Sequence, residues 1–86
     1  DILAMGVMDG LRQAGAKIPQ DFSVMGVDNI PMSAWPSYDL TTIAQPVDKI
    51  VKRAVEDLMN RINGNLDATG EYLFEQGTLI ERSSTI

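Results

Sequence analysis

Residues 22–27, Phe-Ser-Val-Met-Gly-Val, form a short run of nearly continuous apolar character that stops at Asp28-Asn29 and then meets Ile30-Pro31. Such a run is predicted to be a strand, and its lack of polar alternation suits a strand covered on both faces in a parallel sheet. Residues 1–14 place Leu3, Met8 and Leu11, with Ala4 and Val7, at roughly helical spacing. Gly15 supplies a left-handed stop, and Ile18-Pro19-Gln20-Asp21 reads as a turn. Helix, tight turn, strand is the second half of a strand–helix–strand unit, whose sheet needs helices on both faces. The chain offers two strong helices in 86 residues, so it is predicted to be an incomplete α/β piece.

Farther along, residues 31–39 are irregular, and residues 40–45 alternate as a β-branched strand. Pro46 suits the first turn of a helix, where its missing N–H costs nothing. Val47, Ile50, Val51, Ala54, Val55, Leu58 and Ile62 then make a clear apolar stripe through Asn63. The opposite face offers Asp48 with Lys52, Arg53 with Asp57 and Asp57 with Arg61, pairs worth about 0.2–0.5 kcal/mol each. Gly64 closes the helix, residues 65–70 read as a polar loop, and residues 72–82 read as extended with a break at Gly77. Gly6 and Gly10 inside the first helix, at about 1 kcal/mol each relative to Ala, are expected to admit a close neighbouring backbone.

Composition removes several classes of function. With no cysteine and no histidine, the chain has no disulfide, no thiolate metal site, no imidazole base and no Ser/His or Cys/His set. No catalytic residue, metal or cofactor is assigned. Twelve acids against seven bases give a net charge of −5, and the bases are scattered, so direct duplex binding is not expected. No apolar run is long enough to span a membrane. A chain this short buries only roughly 60% of its unfolded surface, so its own core should be thin. An uncovered Val/Ile/Leu stripe is expected to seek a partner by swapping or intertwining. The opening on Asp1, within a helix and with no basic or apolar leader, reads as an internal cut in a longer protein.

Four stretches, in this order and spacing, resemble the effector-binding region of LacI/GalR regulators. Asp1-Ile2-Leu3-Ala4-Met5-Gly6 is similar to the family's "N-D-x-x-A-x-G" without its Asn. Gly15 with residues 18–29 resembles "G-x-x-[IV]-P-x-D-[IV]-S-[IV]-x-G-[FY]-D-[DN]". Residues 40–46, Leu-Thr-Thr-Ile-Ala-Gln-Pro, resemble "L-T-T-[IV]-x-Q-P", and residues 79–85 resemble "L-[IV]-x-R-x-S-T". The resemblance implies a fold like that of periplasmic binding proteins, in which two α/β subdomains close on a ligand. Residues 1–40 would belong to the C-terminal subdomain and 41–46 to a crossover strand. Residues 47–77 would lie in the N-terminal subdomain, and 78–86 would form the return crossover and tail.

Asp28 is the first candidate for contact with an effector. It stands just past the carboxyl end of a strand, where ligands bind in open α/β sheets, and a carboxylate there can accept bonds from two hydroxyls or a purine N–H. The matching family Asp contacts the effector; a turn-forming role is the alternative. Gln45 at the crossover offers both donor and acceptor, or else a hinge bond to backbone. Asp1 matches the acid of the family's Asn-Asp pair, or else complements a helix dipole. Trp35 suits a dimer interface or a sugar face, and the family places its loop at the interface. Met5 and Met8 are assigned to that interface, with core filling as the alternative. Thr41 and Thr42 read as strand residues at the hinge, and Arg82 as a structural ion pair. The loop departs from the family where Tyr38 stands in place of a frequent Pro, with Pro at 36, so its details are not carried over.

The leading expectation is the sensing portion of a cytoplasmic, sugar-responsive regulator that forms a homodimer or higher oligomer. A separate N-terminal helix-turn-helix domain would read the operator, and a sugar or a purine would be the effector. The alternative is a periplasmic sugar-binding protein of a transport system. An enzyme using Asp28 and Asp39, eleven residues apart across an irregular loop, has no specific geometry behind it.

Overall fold

The computed structural model describes residues 1–64 and 75–86. Along the chain come helix α1 (Ile2–Gln13), strand β1 (Met25–Val27), a 3-10 turn (Pro31–Ala34), strand β2 (Thr41–Ala44), helix α2 (Val47–Ile62) and strand β3 (Thr78–Ile80). Contacts divide it into two compact units, Asp1–Gln45 with Gly77–Ile86, and Pro46–Gln76.

In the first unit the three strands lie in the order β1-β2-β3. β1 runs parallel to β2, with Met25 beside Thr41 and Val27 beside Ile43. β3 returns antiparallel, with Ile80 beside Thr42 and Thr78 beside Ala44. The sheet is therefore mixed: the expected parallel pairing is that of β1 with β2, and β3 adds an antiparallel edge. α1 closes in a Schellman arrangement: the Ala16 amide donates to the Leu11 carbonyl and the Gly15 amide to the Arg12 carbonyl. Gly15 takes φ 84°, the left-handed conformation that glycine adopts without a Cβ penalty.

The core is small. Met8, Val24 and Leu40 are buried, with Ala4, Met5, Leu11, Ile18 and Tyr38 packed against them. Met8, expected at a dimer interface, is instead 0% exposed; it fills the space between α1 and the sheet and cannot meet a partner. β1 is also shorter than residues 22–27. The Val24 amide donates to the Ser84 carbonyl (2.9 Å) of the returning tail, outside the strand ladder. Along β1 burial alternates, with Gly26 buried and Met25 and Val27 each 48% exposed. Within this chain β1 is covered on one face, which corrects the expectation of two.

The glycines that permit close approach are Gly26 and Gly77. A Cβ at Gly26 would stand 3.1 Å from Leu40 Cδ2 and 3.2 Å from Asp1 Cα, and one at Gly77 would stand 3.1 Å from the Ala44 carbonyl oxygen. Gly6 and Gly10, predicted to serve that purpose, have nothing within 4 Å of such an atom.

In the second unit α2 begins after Pro46 and ends at Asn63, with Gly64 at φ 84° and its amide donating to the Arg61 carbonyl (3.1 Å). Among the described residues the ion pair that forms is Arg53–Asp57, at 3.4 Å. No residue of α2 is buried. The predicted loop at residues 65–70, and residues 72–74 of the predicted extended stretch, lie outside the described residues.

Candidate functional site

The site is built at the corner where β1 ends. Asp28 has φ 122° and Asn29 φ 54°; both are conformations that L-residues rarely adopt and that persist only where surroundings fix them. Three consecutive amides are held there. That of Asp28 donates to the Ile43 carbonyl (2.8 Å), extending the β1–β2 pairing by one residue. That of Asn29 donates to Thr42 Oγ1 (3.2 Å), and that of Ile30 to Asp1 Oδ2 (2.8 Å). The Asp28 side chain is thereby turned outward, exposed, at the carboxyl end of β1. Gln45, just past β2, donates through Nε2 to Asp28 Oδ1. Two of the three predicted effector residues thus meet, and together they present carboxylate acceptors beside an amide with its own acceptor.

Asp1, the third, is placed differently. Its Oδ1 accepts from Thr42 Oγ1 (2.6 Å), its Oδ2 from Ile30 N (2.8 Å), and its backbone nitrogen donates to the Val27 carbonyl (3.0 Å). Both carboxylate oxygens face inward, joining the start of α1, the corner and β2. Thr42 is 0% exposed, so its hydroxyl, which donates to Asp1 and accepts from Asn29, has no part in ligand contact.

Beneath the corner lies Arg82, part-buried on the returning tail. Its guanidinium donates to Asn29 Oδ1 (2.8 Å), Ser33 Oγ (2.9 Å) and the Leu40 carbonyl (2.8 Å). The predicted structural role stands, but its bonded partners are neutral oxygens where an ion pair was expected. The tail is stitched to the sheet around it. Thr41 Oγ1 accepts from the Arg82 amide (2.9 Å), Ser84 Oγ donates to the Val24 carbonyl (2.6 Å), and the Thr41 amide donates to Ser84 Oγ (2.8 Å). Asn29, Ser33 and Ser84 are supports that sequence reasoning missed. Ser84 and Arg82 sit in the Arg-Ser-Ser-Thr stretch noted for its pattern, but nothing local connects them to residues more than forty positions earlier.

Two groups near the site have displaced pKa values. Hydrogen bonds from the Ser83 side chain and amide hold the Asp39 carboxyl below the usual carboxylate range, with the positive charge of Arg82 adding to this. The Tyr38 hydroxyl donates to Asp9 Oδ2 (3.1 Å), and that bond, with the nearby carboxylate charge, pushes the phenol upward. Tyr38–Asp9, and the bond from Arg12 to the Ser37 carbonyl, tie α1 to the loop carrying Trp35, which is 55% exposed. Met5 is half-buried at the edge of the core.

A groove of about 700 Å³ runs between α1 and β1, lined by Leu3, Val7, Leu11, Phe22 and Met25 among others. It includes neither Asp28 nor Gln45. Its one carboxylate, on Asp1, has both oxygens committed to internal bonds, so it offers an apolar surface with little to orient a polyhydroxylated ligand.

The periplasmic binding protein-like domain family matches residues 1–85. The chain is 40% identical over 86 residues to an HTH-type transcriptional repressor PurR of Aliivibrio fischeri strain MJ11, covering 100% of this chain and 25% of that protein. It is 47% identical over 84 residues to the protein of the same name in strain ES114, covering 98% and 25%. The chain therefore spans about a quarter of the length of these curated relatives. Among solved structures it is similar to a LacI family transcriptional regulator of Enterococcus faecalis V583 with bound ribose, at 41% identity and a TM-score of 0.83, covering 99% of this chain and 32% of that one. A periplasmic binding protein/LacI transcriptional regulator of Alkaliphilus metalliredigens QYMF, complexed with D-xylulofuranose, matches at 34% identity and a TM-score of 0.80, covering 100% and 32%.

Proposed function

This chain belongs to the periplasmic binding protein-like domain family, as a stretch of a ligand-sensing region of the LacI/GalR type, and on that footing we propose that it supplies part of the effector pocket of a sugar-responsive transcription regulator. The observation that carries the reading is the meeting of Asp28 and Gln45, seventeen residues apart, at the carboxyl ends of β1 and β2. A carboxylate and an amide side by side can accept from and donate to adjacent hydroxyls of a pentose or hexose. The ribose and xylulofuranose bound to the similar regulators make a pentose the first choice, and the two regulator relatives favour this reading over transport.

In this reading the unit Asp1–Gln45 with Gly77–Ile86 is part of one subdomain and Pro46–Gln76 part of the other. Asp1 acts here as a support, and Trp35 with Met5 faces a second copy. The chain performs no catalysis and works in the cytoplasm. Operator DNA is read by a helix-turn-helix domain elsewhere in the dimeric protein. Effector binding changes DNA affinity only insofar as it binds the two subdomain arrangements unequally.

The experiment is fluorescence anisotropy of DNA from upstream of the protein's own gene, with the full-length protein and a panel including D-ribose and D-xylulose. Salt-dependent binding altered by one sugar is the expected result. Asp28→Asn should weaken the response to that sugar by about tenfold or more, since bonds to a charged group are the strong ones. Tight sugar binding with no DNA binding would move the protein to the transport class.

A further inference from the structure

Resting on the effector reading above, we propose that Arg82 is a positioning residue for the ligand-facing carboxylate: its grip on Asn29 sets where Asp28 stands. The corner's backbone, with φ 122° at Asp28 and 54° at Asn29, does not hold itself in that shape. Arg82 reaches it from two directions. One guanidinium nitrogen donates to Asn29 Oδ1 at 2.8 Å. The other donates to Ser33 Oγ at 2.9 Å, and that hydroxyl in turn donates to the Ile30 carbonyl at 2.6 Å.

The second nitrogen also donates to the Leu40 carbonyl at 2.8 Å, immediately before β2. Asn29 adjoins Asp28, and β2 leads directly to Gln45. One side chain therefore ties together the supports of both members of the Asp28–Gln45 pair. Its planar fork matters, because a single ammonium cannot donate in these separate directions with the same fixed geometry. In each of these bonds the guanidinium meets an oxygen, the core residue Leu40 being touched through its backbone carbonyl alone, and the contacts converge on the corner and the start of β2.

The test uses the full-length protein, with hydrogen–deuterium exchange across residues 28–30 in the absence of ligand, thermal unfolding, and calorimetric titration with D-ribose. Arg82→Lys should raise exchange at the corner and weaken ribose by about tenfold. Asn29→Gly keeps the positive φ but loses the acceptor and should loosen the corner similarly; Asn29→Asp keeps both and should retain its protection. Ser84→Ala loosens the same tail without touching Asn29, and should lower the melting temperature while leaving exchange at residues 28–30 unchanged. The proposal is overturned if Arg82→Lys leaves corner exchange at the wild-type level. It is also overturned if Ser84→Ala raises that exchange equally, or if Asn29→Asp is as loose as Asn29→Gly. Should Arg82→Lys not fold, the two Asn29 variants decide. A wild-type protein that ignores ribose would count against the sugar reading while the exchange results still settle the role of Arg82.

Discussion

The two helices invert the relation between pattern and packing. α2 carries the cleaner amphipathic stripe, with seven apolar positions on one face and charged pairs opposite, yet none of its residues is buried. α1 is interrupted by Gly6 and Gly10, yet it holds the fully buried Met8 and packs against Val24 and Leu40. Periodicity states which face of a helix is apolar; it does not state whether the same chain supplies a cover. For α1 the cover is β1 and the segment before β2, both within reach in sequence.

The contrast is sharpest where a side chain is removed from the covered region. Leu40→Ala should destabilise the chain by about 3 kcal/mol, the usual range for a fully buried leucine that leaves a cavity, as read by urea unfolding. A loss under about 0.5 kcal/mol, typical of surface positions, would mean the first unit has no more of a core than α2 does.

Next in size is the polar layer. Thr42→Val keeps the shape of a side chain that is 0% exposed but removes the hydroxyl between Asp1 and the Asn29 amide. Leaving those two partners unsatisfied should cost about 2 kcal/mol. It should also increase exchange at the Ile30 amide, because Asp1 loses one of its two anchors. An unchanged unfolding midpoint would show that the Thr42 hydroxyl is not among the groups that hold the corner.

What the sequence makes legible follows the same division. The helix ends are visible because Gly15 and Gly64 stand where left-handed backbone is required, and β2 is visible from its β-branched alternation. The pairing of Asp28 with Gln45 is half legible: each residue stands out by its position at a strand end, but their contact needs the parallel register of β1 on β2. The Arg82 network is not legible, because its partners at positions 29, 33 and 40 lie over forty residues away and carry no periodic signal. The same distance hides the inward turn of Asp1, whose partner is Thr42. Met8 is misassigned because an apolar residue on a helix looks alike whether it faces a core or a second copy. The strand at residues 22–27 is overextended because the tail, through Ser84, takes the Val24 amide that a ladder would otherwise use.

A smaller effect, and a pH-dependent one, belongs to Asp39. Its pKa is lowered in the folded state, first by the Ser83 hydrogen bonds. The stabilisation from its charged form is therefore full above the ordinary carboxylate pKa and is lost as pH falls through the lower folded value. Asp39→Asn tolerates the same left-handed backbone, φ 41° in the wild type, and removes the titration. The variant's melting temperature should fall less steeply than the wild type's below about pH 4. Parallel curves would detach Asp39 from the tail's hold on the sheet.

The smallest change in stability is expected on α2, and it bears most directly on the contrast between the helices. Leu58 is 58% exposed, and Val51 and Ile62 on the same stripe are 54% and 66% exposed. In this chain Leu58→Ser should alter the unfolding free energy by no more than about 0.5 kcal/mol, because little packing is lost. Its effect should appear instead in association. A contiguous apolar stripe facing water favours contact with another surface, so light scattering of the chain should give a mass above that of a monomer, and Leu58→Ser should lower it. A wild-type chain that stays monomeric would show that the stripe tolerates water. A stability loss approaching that of Leu40→Ala would show that α2 has a cover within this chain after all. In the full-length protein, where the remaining length can supply that cover, the same substitution should move from the surface range toward the range of a buried leucine, about 2–5 kcal/mol.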